Sequence, residues 1–322
     1  MLAAVYRRRG PAAEVLTVEE IKTPEPGPGE VRVRVAVSGI NPTDWKSRSA
    51  GGEITAGFQV PNQDGAGVVD AVGPGVDPAR VGERVWVYLA AWMNPYGTAA
   101  EYTVVPAERA VRLPEGISFD LAASLGVPVV TAHRCLFADG SVDGRVVLVA
   151  GGAGAVGYYT IQLARAAGAT VIATVSGPEK AAIARDAGAH HVVNYRQGDP
   201  AAEIRAVAPD GVDRIVEVAL AANLDLDLTV AAPNAVIVSY ATEPTNPELP
   251  VRELMTRNLV LRFVLLYTVP PEALQEAVQD ITTALSGGIL SEMPMHRYRL
   301  DDIAAAHDAV EGGAVGKVVV DL

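Results

Sequence analysis

The sequence predicts an α/β protein in which a strand-rich region is followed by a doubly wound parallel sheet. Residues 1 to about 122 contain apolar segments with a period of two, separated by glycine- and proline-rich turns. From Val146 onward, short apolar runs alternate with helical segments, which is typical of a parallel sheet covered by helices. Between the first of these runs and the first helix, three glycines follow the spacing G-x-G-x-x-G.

The N-terminal region is expected to fold as a compact β-barrel or sandwich. Valines alternate with arginines in EVRVRVAVSGI (residues 30–40), the pattern of a half-buried strand. The segments GAGVVDAVG, ERVWVYLA and AEYTVV continue the pattern, and turns such as PEPGPGE and GPGVDP punctuate it.

The second region is expected to supply six parallel strands. The candidates are residues 146–150, 171–175, 191–195, 213–219, 235–240 and 259–267. Helical spacing begins near Leu121, and a further helix, PEALQEAVQDITTALSGG, precedes the last strand, KVVVDL. Because this tail follows a completed run of strands, we expect it to return to the first domain. The predicted domains are therefore residues 1–122 with 268–322, and residues 123–267.

Composition excludes several classes of protein. The formal net charge of -12 opposes binding to a phosphate backbone, so no nucleic-acid partner is expected. A single cysteine, Cys135, excludes an intramolecular disulfide and a multi-cysteine zinc site. No apolar run approaches the ~20 residues of a membrane span, and the N-terminus does not resemble a signal peptide. We expect a cytoplasmic protein with no membrane step.

The glycine-rich turn predicts a dinucleotide-binding loop. Gly152, Gly154 and Gly157 follow the strand VVLVA and precede a helix. Glycine at these positions permits the tight turn, lets backbone N–H groups approach a pyrophosphate, and lets the helix pack closely on the strand. The residues between the glycines, Ala153, Ala155 and Val156, are expected to contribute to the same loop.

The end of the next strand favours NADPH over NADH. An acidic residue about 20 positions after the glycines normally binds the ribose 2′-hydroxyl of NAD, yet residues 169–178 contain none. Ser176, Lys180 and Tyr195 instead offer a hydroxyl, an ammonium and a phenol, which suit a 2′-phosphate. The alternative is that Lys180 is a solvated helix residue and Tyr195 a strand-end aromatic.

Several ordered motifs together resemble the medium-chain dehydrogenase/reductase superfamily, and specifically its zinc-free NADPH:quinone oxidoreductase branch, the zeta-crystallin-like enzymes. The motifs are SGINPTDWKSRSA (38–50), PNQDGAGVVDAVG (61–73), GERVWVY (82–88), GTAAEYTVVP (97–106), LGVPVVTAHRCL (125–136), VLVAGGAGAVG and GAVGKVVV. The resemblance covers essentially the whole chain. It implies a GroES-like β-barrel catalytic domain and a Rossmann domain that binds NADPH.

The residues at the family's zinc positions argue against a bound metal. The cysteine ligand of zinc-bearing relatives corresponds to Asn41, and their histidine corresponds to Gln63, which Asp64 follows. Carboxamides are poor zinc ligands. We expect no zinc, and without its Lewis acidity, reduction of an electron-poor acceptor is favoured over alcohol oxidation.

The resemblance places Asn41 and Asp44 beside the nicotinamide and substrate, and Thr131 at the cofactor. Asn41 can donate from its amide to a substrate oxygen that becomes negative as hydride arrives, whereas Asp44 can equally be structural and bond loop amides. Further cofactor contacts are expected at Ala219, Ser239 and Lys317.

Tyr240 is a departure from the family pattern, because relatives often keep glycine at this strand end. A phenol there could narrow the pocket, stack on the substrate or donate a proton, or it could point away and pack. Pro233 and Asn234 are a second departure, since they replace the usual glycine pair before the fifth strand.

A substrate pocket is expected to include Lys46, Tyr88, Trp92 and Met93. The aromatic and methionine side chains could form a hydrophobic lid, although such residues also fill a domain's own core. Lys46 could donate a proton or could simply be exposed to solvent.

The function expected from this resemblance is NADPH-dependent reduction of quinones or related α,β-unsaturated carbonyls. One alternative is an enoyl-thioester or alkenal double-bond reductase, and one of another class is an NADPH-binding structural or RNA-binding protein. As in similar enzymes, we expect a homodimer through the apolar edge strand at residues 259–267.

Overall fold

The period-two segments of the N-terminal region form strands in the computed structural model, which describes all of residues 1–322. The alternating segment EVRVRVAVSGI is an 11-residue strand, Glu30–Ile40. Its residues Val31 and Val33 are fully buried, whereas Arg34 is exposed. Burial of one face of this strand accounts for the alternation in its sequence.

The helices and strands follow the chain in this order. The N-terminal part contains β1 (Leu2–Val5), α1 (Ala12–Val15), β2 (Thr17–Glu20), β3 (Glu30–Ile40), α2 (Pro42–Ala50), β4 (Asp64–Val72), β5 (Arg84–Val87), β6 (Tyr102–Pro106), β7 (Ala110–Arg112) and α3 (Phe119–Ala122). The middle part contains α4 (Gly126–Phe137), β8 (Val146–Ala150), α5 (Ala155–Ala166), β9 (Thr170–Val175), α6 (Pro178–Asp186), β10 (His191–Asn194), α7 (Pro200–Val207), β11 (Val212–Glu217), α8 (Leu220–Val230), β12 (Ala231–Ser239), α9 (Val251–Thr256), β13 (Val260–Phe263) and α10 (Pro271–Ser286). The last part contains β14 (Met295–Arg299), α11 (Ile303–Glu311) and β15 (Lys317–Asp321).

One compact unit comprises Met1–Pro128 and Pro294–Leu322. Its main sheet has the order β14-β15-β3-β4-β5-β7, with β6 also paired to β3. All of these pairs are antiparallel except β14 with β15. The C-terminal strand β15 therefore lies next to β3, and Val318 pairs with Ile40 immediately before α2.

The second compact unit, Val129–Met293, contains the doubly wound sheet. Its six strands are all parallel and have the order β10-β9-β8-β11-β12-β13. The chain moves outward from β8 to β10 and then crosses to β11 on the other side of β8. Ligands of such sheets bind outside the carboxyl ends of the strands, at the point where the strand order reverses. The loops after β8 and β11 lie at that point.

The unit boundaries differ from the predicted ones, most clearly for the helix α10. The sequence assigns residues 268–293 to the first domain, but they belong to the second unit, and the first junction lies at residue 128 rather than 122. Helix α10 packs against α4 of the same unit, where His133 Nε2 lies 2.8 Å from an oxygen of Asp280. Its apolar stripe includes the fully buried Ala277 and Ile281. Only Pro294–Leu322 joins the first unit.

The strand predicted at residues 259–267 is shorter in the structure. β13 ends at Phe263, and a single 3-10 turn occupies Leu266–Thr268. The last ladder bond runs from the Val264 N–H to the Ser239 carbonyl, after which the Thr268 N–H turns back to Leu265. Because β12 ends at Ser239, the later residues of the apolar run have no neighbouring strand to pair with.

Asn234 adopts the backbone conformation that glycine usually takes. Its φ is 64°, in the left-handed region that Asn tolerates better than most residues. Its N–H donates to the Arg257 carbonyl at 2.8 Å. The Pro233–Asn234 pair can therefore replace a glycine pair at this position.

No helix of the structure combines the length and the apolar character needed to span a lipid bilayer.

Candidate functional site

The loop after β8 has room for side chains at one glycine and not at the other two. A Cβ on Gly152 would lie 2.8 Å from the Ala173 side chain, and one on Gly157 would lie 2.4 Å from the Gly151 carbonyl oxygen. At Gly154 the nearest atom would be 3.4 Å away, again the Gly151 oxygen. Gly152 and Gly157 are therefore required by packing, whereas Gly154 leaves space beside the helix start.

Gly154 is the N-cap of α5 and provides no side-chain cap. The first N–H groups of any helix lack intrahelical partners, and they carry the positive end of the helix dipole. An uncapped helix start beside open space is suited to a phosphate group. The loop therefore fits the pyrophosphate of a dinucleotide, with Ala153, Ala155 and Val156 forming its remaining backbone.

The three candidate 2′-phosphate residues lie at one edge of the sheet. Ser176 directly follows β9, and Tyr195 directly follows β10, its N–H donating to the Val175 carbonyl at 3.1 Å. Lys180 lies in the first turns of α6. Ser176 and Lys180 are half-buried, and Tyr195 is 47% exposed. All three are accessible beyond the carboxyl ends of adjacent parallel strands.

Glu217 and Asp227 form a buried carboxyl pair that the sequence did not reveal. Glu217 ends β11 and is fully buried, and its Oε1 accepts hydrogen bonds from the Ala219 N–H and, at 3.0 Å, from Asn223. Asp227, on α8, is 1% exposed and lies beside Glu217, and Asp227 Oδ2 and Glu217 Oε2 have no other hydrogen-bond partner. Burial and the neighbouring Glu217 raise the pKa of Asp227 to about 9. Burial also raises the pKa of Glu217, so the two carboxyl groups share a proton at neutral pH.

Ala219, Ser239 and Tyr240 lie at the ends of β11 and β12. Ala219 is the N-cap of α8, and Ser239 is the last residue of β12. The Tyr240 N–H donates to the Glu217 carbonyl at 3.2 Å, so the two strand ends are adjacent. Burial raises the pKa of Tyr240, and its hydroxyl therefore stays protonated at physiological pH. Thr131 is buried on α4.

In the first unit, Asn41 and Asp44 form the start of α2. Asn41 is the N-cap, and its backbone N–H donates to Asp44 Oδ2 at 2.7 Å. Asp44 Oδ1 accepts a second hydrogen bond, from the Gln63 N–H at 3.0 Å. Both side chains are almost completely buried. Asp44 thus has the structural role that the sequence left open, since both of its oxygens hold loop amides.

The Asn41 carboxamide lies between an ammonium and a carboxylate. Its Nδ2 donates to Asp64 Oδ2 at 2.6 Å, and its Oδ1 accepts from Lys317 Nζ at 2.6 Å. Lys317 Nζ is 3.9 Å from Asp64 Oδ2. Asp64 and Lys317 are 0% and 2% exposed. The structure places the Lys317 ammonium on Asn41 because β15 pairs with β3 just ahead of α2. The contact with the cofactor that the sequence predicts for Lys317 stays a prediction.

Burial controls the charges of this cluster. It raises the pKa of Asp44 to about 8, with a further contribution from the nearby Asp64. Burial also raises the pKa of Asp64, to about 6, against the opposing effects of Lys317 and the Asn41 hydrogen bond. Burial lowers the pKa of Lys317, whereas both carboxylates act in the opposite direction. Asp64 accepts hydrogen bonds from Asn41 Nδ2 and the Val127 N–H and lies 3.9 Å from the Lys317 ammonium, and these contacts favour its ionised form.

The proposed pocket residues are divided between core and surface. Tyr88 is 3% exposed and packs on Trp86 with ring centroids 5.5 Å apart, which is the core role that the sequence had left open. Met93 is 90% exposed and has a positive φ of 55°. Trp92 is half-buried, and Lys46 is exposed, its ammonium 5.9 Å from the Trp45 ring centroid.

No group of three or more His, Cys, Asp and Glu side chains is arranged to hold a metal ion. At the positions where zinc-bearing relatives have cysteine and histidine, Asn41 is hydrogen bonded at both ends of its amide and Gln63 is buried. The absence of zinc remains a prediction.

Two family models match this chain. The model described as "Alcohol dehydrogenase GroES-like domain" matches residues 27–115, and the model described as "Zinc-binding dehydrogenase" matches residues 155–283.

Relatives of known name match over almost their whole length. A quinone oxidoreductase of Sus scrofa is 30% identical, over 99% of this chain and 96% of the relative. A 2-haloacrylate reductase of a Burkholderia species is 31% identical, over 99% of this chain and 98% of the relative.

Solved structures agree with the present one over complete chains. A mycobacterial protein complexed with NADPH has a TM-score of 0.88 at 29% identity, and an NAD-dependent alcohol dehydrogenase has a TM-score of 0.89 at 28% identity. Both comparisons cover 100% of each chain.

Proposed function

Because this chain belongs to the zinc-free quinone oxidoreductase branch of the medium-chain dehydrogenase/reductase superfamily, we propose that it is an NADPH-dependent reductase of quinones and related α,β-unsaturated carbonyls. The observation that carries the proposal is the uncapped glycine loop after β8, which leaves space for a phosphate at Gly154. The quinone oxidoreductase and 2-haloacrylate reductase relatives support the acceptor class, and the NADPH-bound structural neighbour supports the cofactor.

The chain supplies residues for each part of the cofactor. The pyrophosphate binds at the start of α5, along Gly152–Gly157. Ser176, Lys180 and Tyr195 bind the 2′-phosphate, since the strand end carries no carboxylate that would repel it. Thr131, Ala219, Ser239 and Tyr240 complete the cofactor contacts.

NADPH supplies the hydride when it is bound. As the hydride arrives, the acceptor's carbonyl oxygen becomes negative and needs a hydrogen-bond donor. Asn41 is that donor: one Nδ2 hydrogen is used by Asp64, and the second is available for the acceptor. Asp44 holds the backbone of Asn41 in place through the N-terminus of α2.

The donor role of Asn41 has a direct test. Asn41→Asp removes the N–H donor and adds a carboxyl group beside Asp64, so kcat should fall by about 10²-fold or more. NADPH affinity should change far less, because the glycine loop is untouched. An unchanged kcat would remove Asn41 from the mechanism.

An enoyl-thioester or alkenal reductase is the second candidate, and the 2-haloacrylate reductase relative favours it specifically. A 2-haloacrylate carries a carbon–carbon double bond conjugated to a carboxylate, so the name of this relative supports reduction of an activated double bond on a chain that is 31% identical to this one. A screen of NADPH oxidation with 1,4-quinones, enones, 2-haloacrylates and enoyl thioesters separates the candidates. Turnover of quinones or enones supports the first proposal, whereas turnover of enoyl thioesters, alkenals or 2-haloacrylates without turnover of quinones and enones selects the second.

A homodimer through β13 is part of the proposal. β13 is an edge strand in which Val260 and Phe263 are 42% and 67% exposed, and Leu265, two residues beyond its end, is 57% exposed. Exposed apolar residues on an unpaired strand edge are suited to pairing with a second copy of the chain. Light scattering at micromolar concentration should give twice the monomer mass, and a purely monomeric protein would refute this part.

A further inference from the structure

We propose that Lys317 and Asp64 act together as positioning residues that hold the Asn41 carboxamide in a single orientation. Asp64 receives the Nδ2 end and Lys317 binds the Oδ1 end, each at 2.6 Å. The inference deepens the proposed function, because orientation matters only if Asn41 donates to the acceptor. It also replaces the cofactor contact that the sequence predicted for Lys317.

The chemistry of the two partners permits only one orientation. An ammonium has three donors and no acceptor, and an ionised carboxylate accepts only. If the amide were turned by 180°, its NH₂ would face the Lys317 ammonium and its oxygen would face the Asp64 carboxylate. Both contacts would then be repulsive in a buried setting, where unmatched polar groups are most unfavourable.

Asp64 is itself held rigidly. Both of its carboxylate oxygens accept from the Val127 N–H, each at 2.9 Å. A Cβ on the neighbouring Gly126 would lie 2.1 Å from Asp64 Oδ1, so the backbone passes directly against the carboxylate. These contacts fix the position from which Asp64 accepts the Asn41 hydrogen bond.

Lys317 is too deeply buried to bind a cofactor phosphate in the described conformation. Its side chain is 2% exposed, and its ammonium is occupied by Asn41 Oδ1 with Asp64 at 3.9 Å. The amide position corresponds to a metal ligand in zinc-bearing relatives. In this chain a buried cation, anion and amide therefore occupy that part of the fold.

The orientation determines what the acceptor meets. With Nδ2 held by Asp64, the second Nδ2 hydrogen is presented as a donor to the developing oxyanion. In the turned orientation the carboxamide oxygen would take the place of its nitrogen, and it would repel the same negative charge. Loss of orientation therefore lowers kcat without removing any group that contacts NADPH.

The two partners are redundant for orientation but not for stability, and this difference gives the test. Lys317→Met leaves Asp64 to bind Nδ2, and Asp64→Asn leaves Lys317 to bind Oδ1. Each single variant should therefore retain kcat within about tenfold, while its Tm falls because one buried charge is left without its partner. Lys317→Met/Asp64→Asn removes both charges, so its Tm should recover toward the wild-type value. Its kcat should nevertheless fall by about 10²-fold, the loss typical of an oxyanion donor.

A merely structural role predicts the same recovery of Tm but the opposite change in kcat, with the double variant more active than either single variant. That result would overturn the proposal. An NADPH affinity that falls more than about tenfold in Lys317→Met but not in Asp64→Asn would also overturn it, since Lys317 would then be a cofactor ligand. Arg32→Met is the matched control. It breaks the ion pair between Arg32 on β3 and Asp70 on β4, and it should lower Tm without changing kcat.

A measurement independent of turnover separates this inference from the proposed function. The Asn41 side-chain NH₂ signals in a ¹⁵N NMR spectrum can be assigned by their loss in Asn41→Asp. In the wild type the hydrogen bonded to Asp64 should resonate downfield of ordinary asparagine amides, and in the double variant the signal should return to the ordinary range. Wild-type signals in the ordinary range would refute the fixed amide. If the wild type shows the downfield signal but fails to oxidise NADPH with every acceptor tested, the proposed function is refuted and the fixed orientation of the Asn41 amide is not.

Discussion

The glycine loop gives a prediction in which stability and cofactor binding change independently. In Gly157→Ala, the new Cβ would lie 2.4 Å from the Gly151 oxygen and 3.0 Å from the Gly152 Cα, both backbone atoms. The loop must shift, and overpacking of this kind costs about 1–3 kcal/mol. In Gly154→Ala, the nearest atom is 3.4 Å away and φ is -75°, which alanine adopts readily. The lower entropy of the unfolded chain and the poorer N-cap oppose each other, so stability should stay within about 0.5 kcal/mol of the wild type.

Cofactor affinity should respond to Gly154→Ala. The Gly154→Ala methyl group occupies the space through which a phosphate approaches the α5 N–H groups, so the Kd for NADPH should rise about tenfold, or ~1.4 kcal/mol. Urea denaturation followed by circular dichroism measures the free energy of unfolding, and fluorescence titration with NADPH measures the Kd. Wild-type NADPH affinity in Gly154→Ala would show that no phosphate binds at this helix start. Wild-type stability in Gly157→Ala would show that the close approach to Gly151 is wrong.

Three further predictions concern the other parts of the molecule. Lys180→Ala should reduce the preference for NADPH over NADH about fivefold, or ~1 kcal/mol, in steady-state kinetics, and the exposed Lys22→Ala should leave it unchanged. Because the folded-state pKa of Asp227 is raised from 3.8 to about 9, the unfolded chain releases its proton first, and stability should decline as pH rises between these values. Asp227→Asn can donate a hydrogen bond to Glu217 at every pH. Between pH 5 and pH 9 its free energy of unfolding should therefore decline less than that of the wild type, by at least about 1 kcal/mol, as measured by denaturation. Equal declines in the two proteins would refute the shared proton. Phe263→Asp should convert the dimer to a monomer in sedimentation analysis without changing the circular dichroism spectrum, and an intact dimer would exclude β13 from the interface.

Local patterns predicted most of the strands. The segment at residues 30–40 is a strand over all of those residues, because alternation reports directly on burial of one face. The strand, loop and helix around the three glycines and the start of helical structure near residue 121 were also predicted, since both depend on neighbours in the chain. The role of the glycine loop in binding a cofactor stays a prediction. The helix α10 was assigned to the wrong unit because its apolar stripe shows that it packs but not against which partner.

The polar cluster around Asn41 required tertiary information. Lys317 lies 276 residues from Asn41, and only the pairing of β15 with β3 brings the two together. The sequence identified Asn41 and Asp44 but did not include Asp64 among the site residues. The available signal was Asp64 itself, because it directly follows Gln63, the residue at the position of a zinc ligand in the family. Glu217 and Asp227 gave a similar weak signal, as carboxyl groups at the end of an apolar strand and within an apolar helix.

Direct transfer of hydride from NADPH to a conjugated acceptor is the central claim, and isotopic labelling tests it most directly. NADPH deuterated at the transferred C4 position is incubated with the wild-type protein and an enone, and the product is analysed by mass spectrometry and NMR. The proposed function predicts one deuterium on the β-carbon of the saturated ketone, with slower turnover than with unlabelled NADPH. A saturated product without carbon-bound deuterium would contradict direct hydride transfer, and an absence of any reduced product from quinones, enones and 2-haloacrylates would contradict the proposed activity itself.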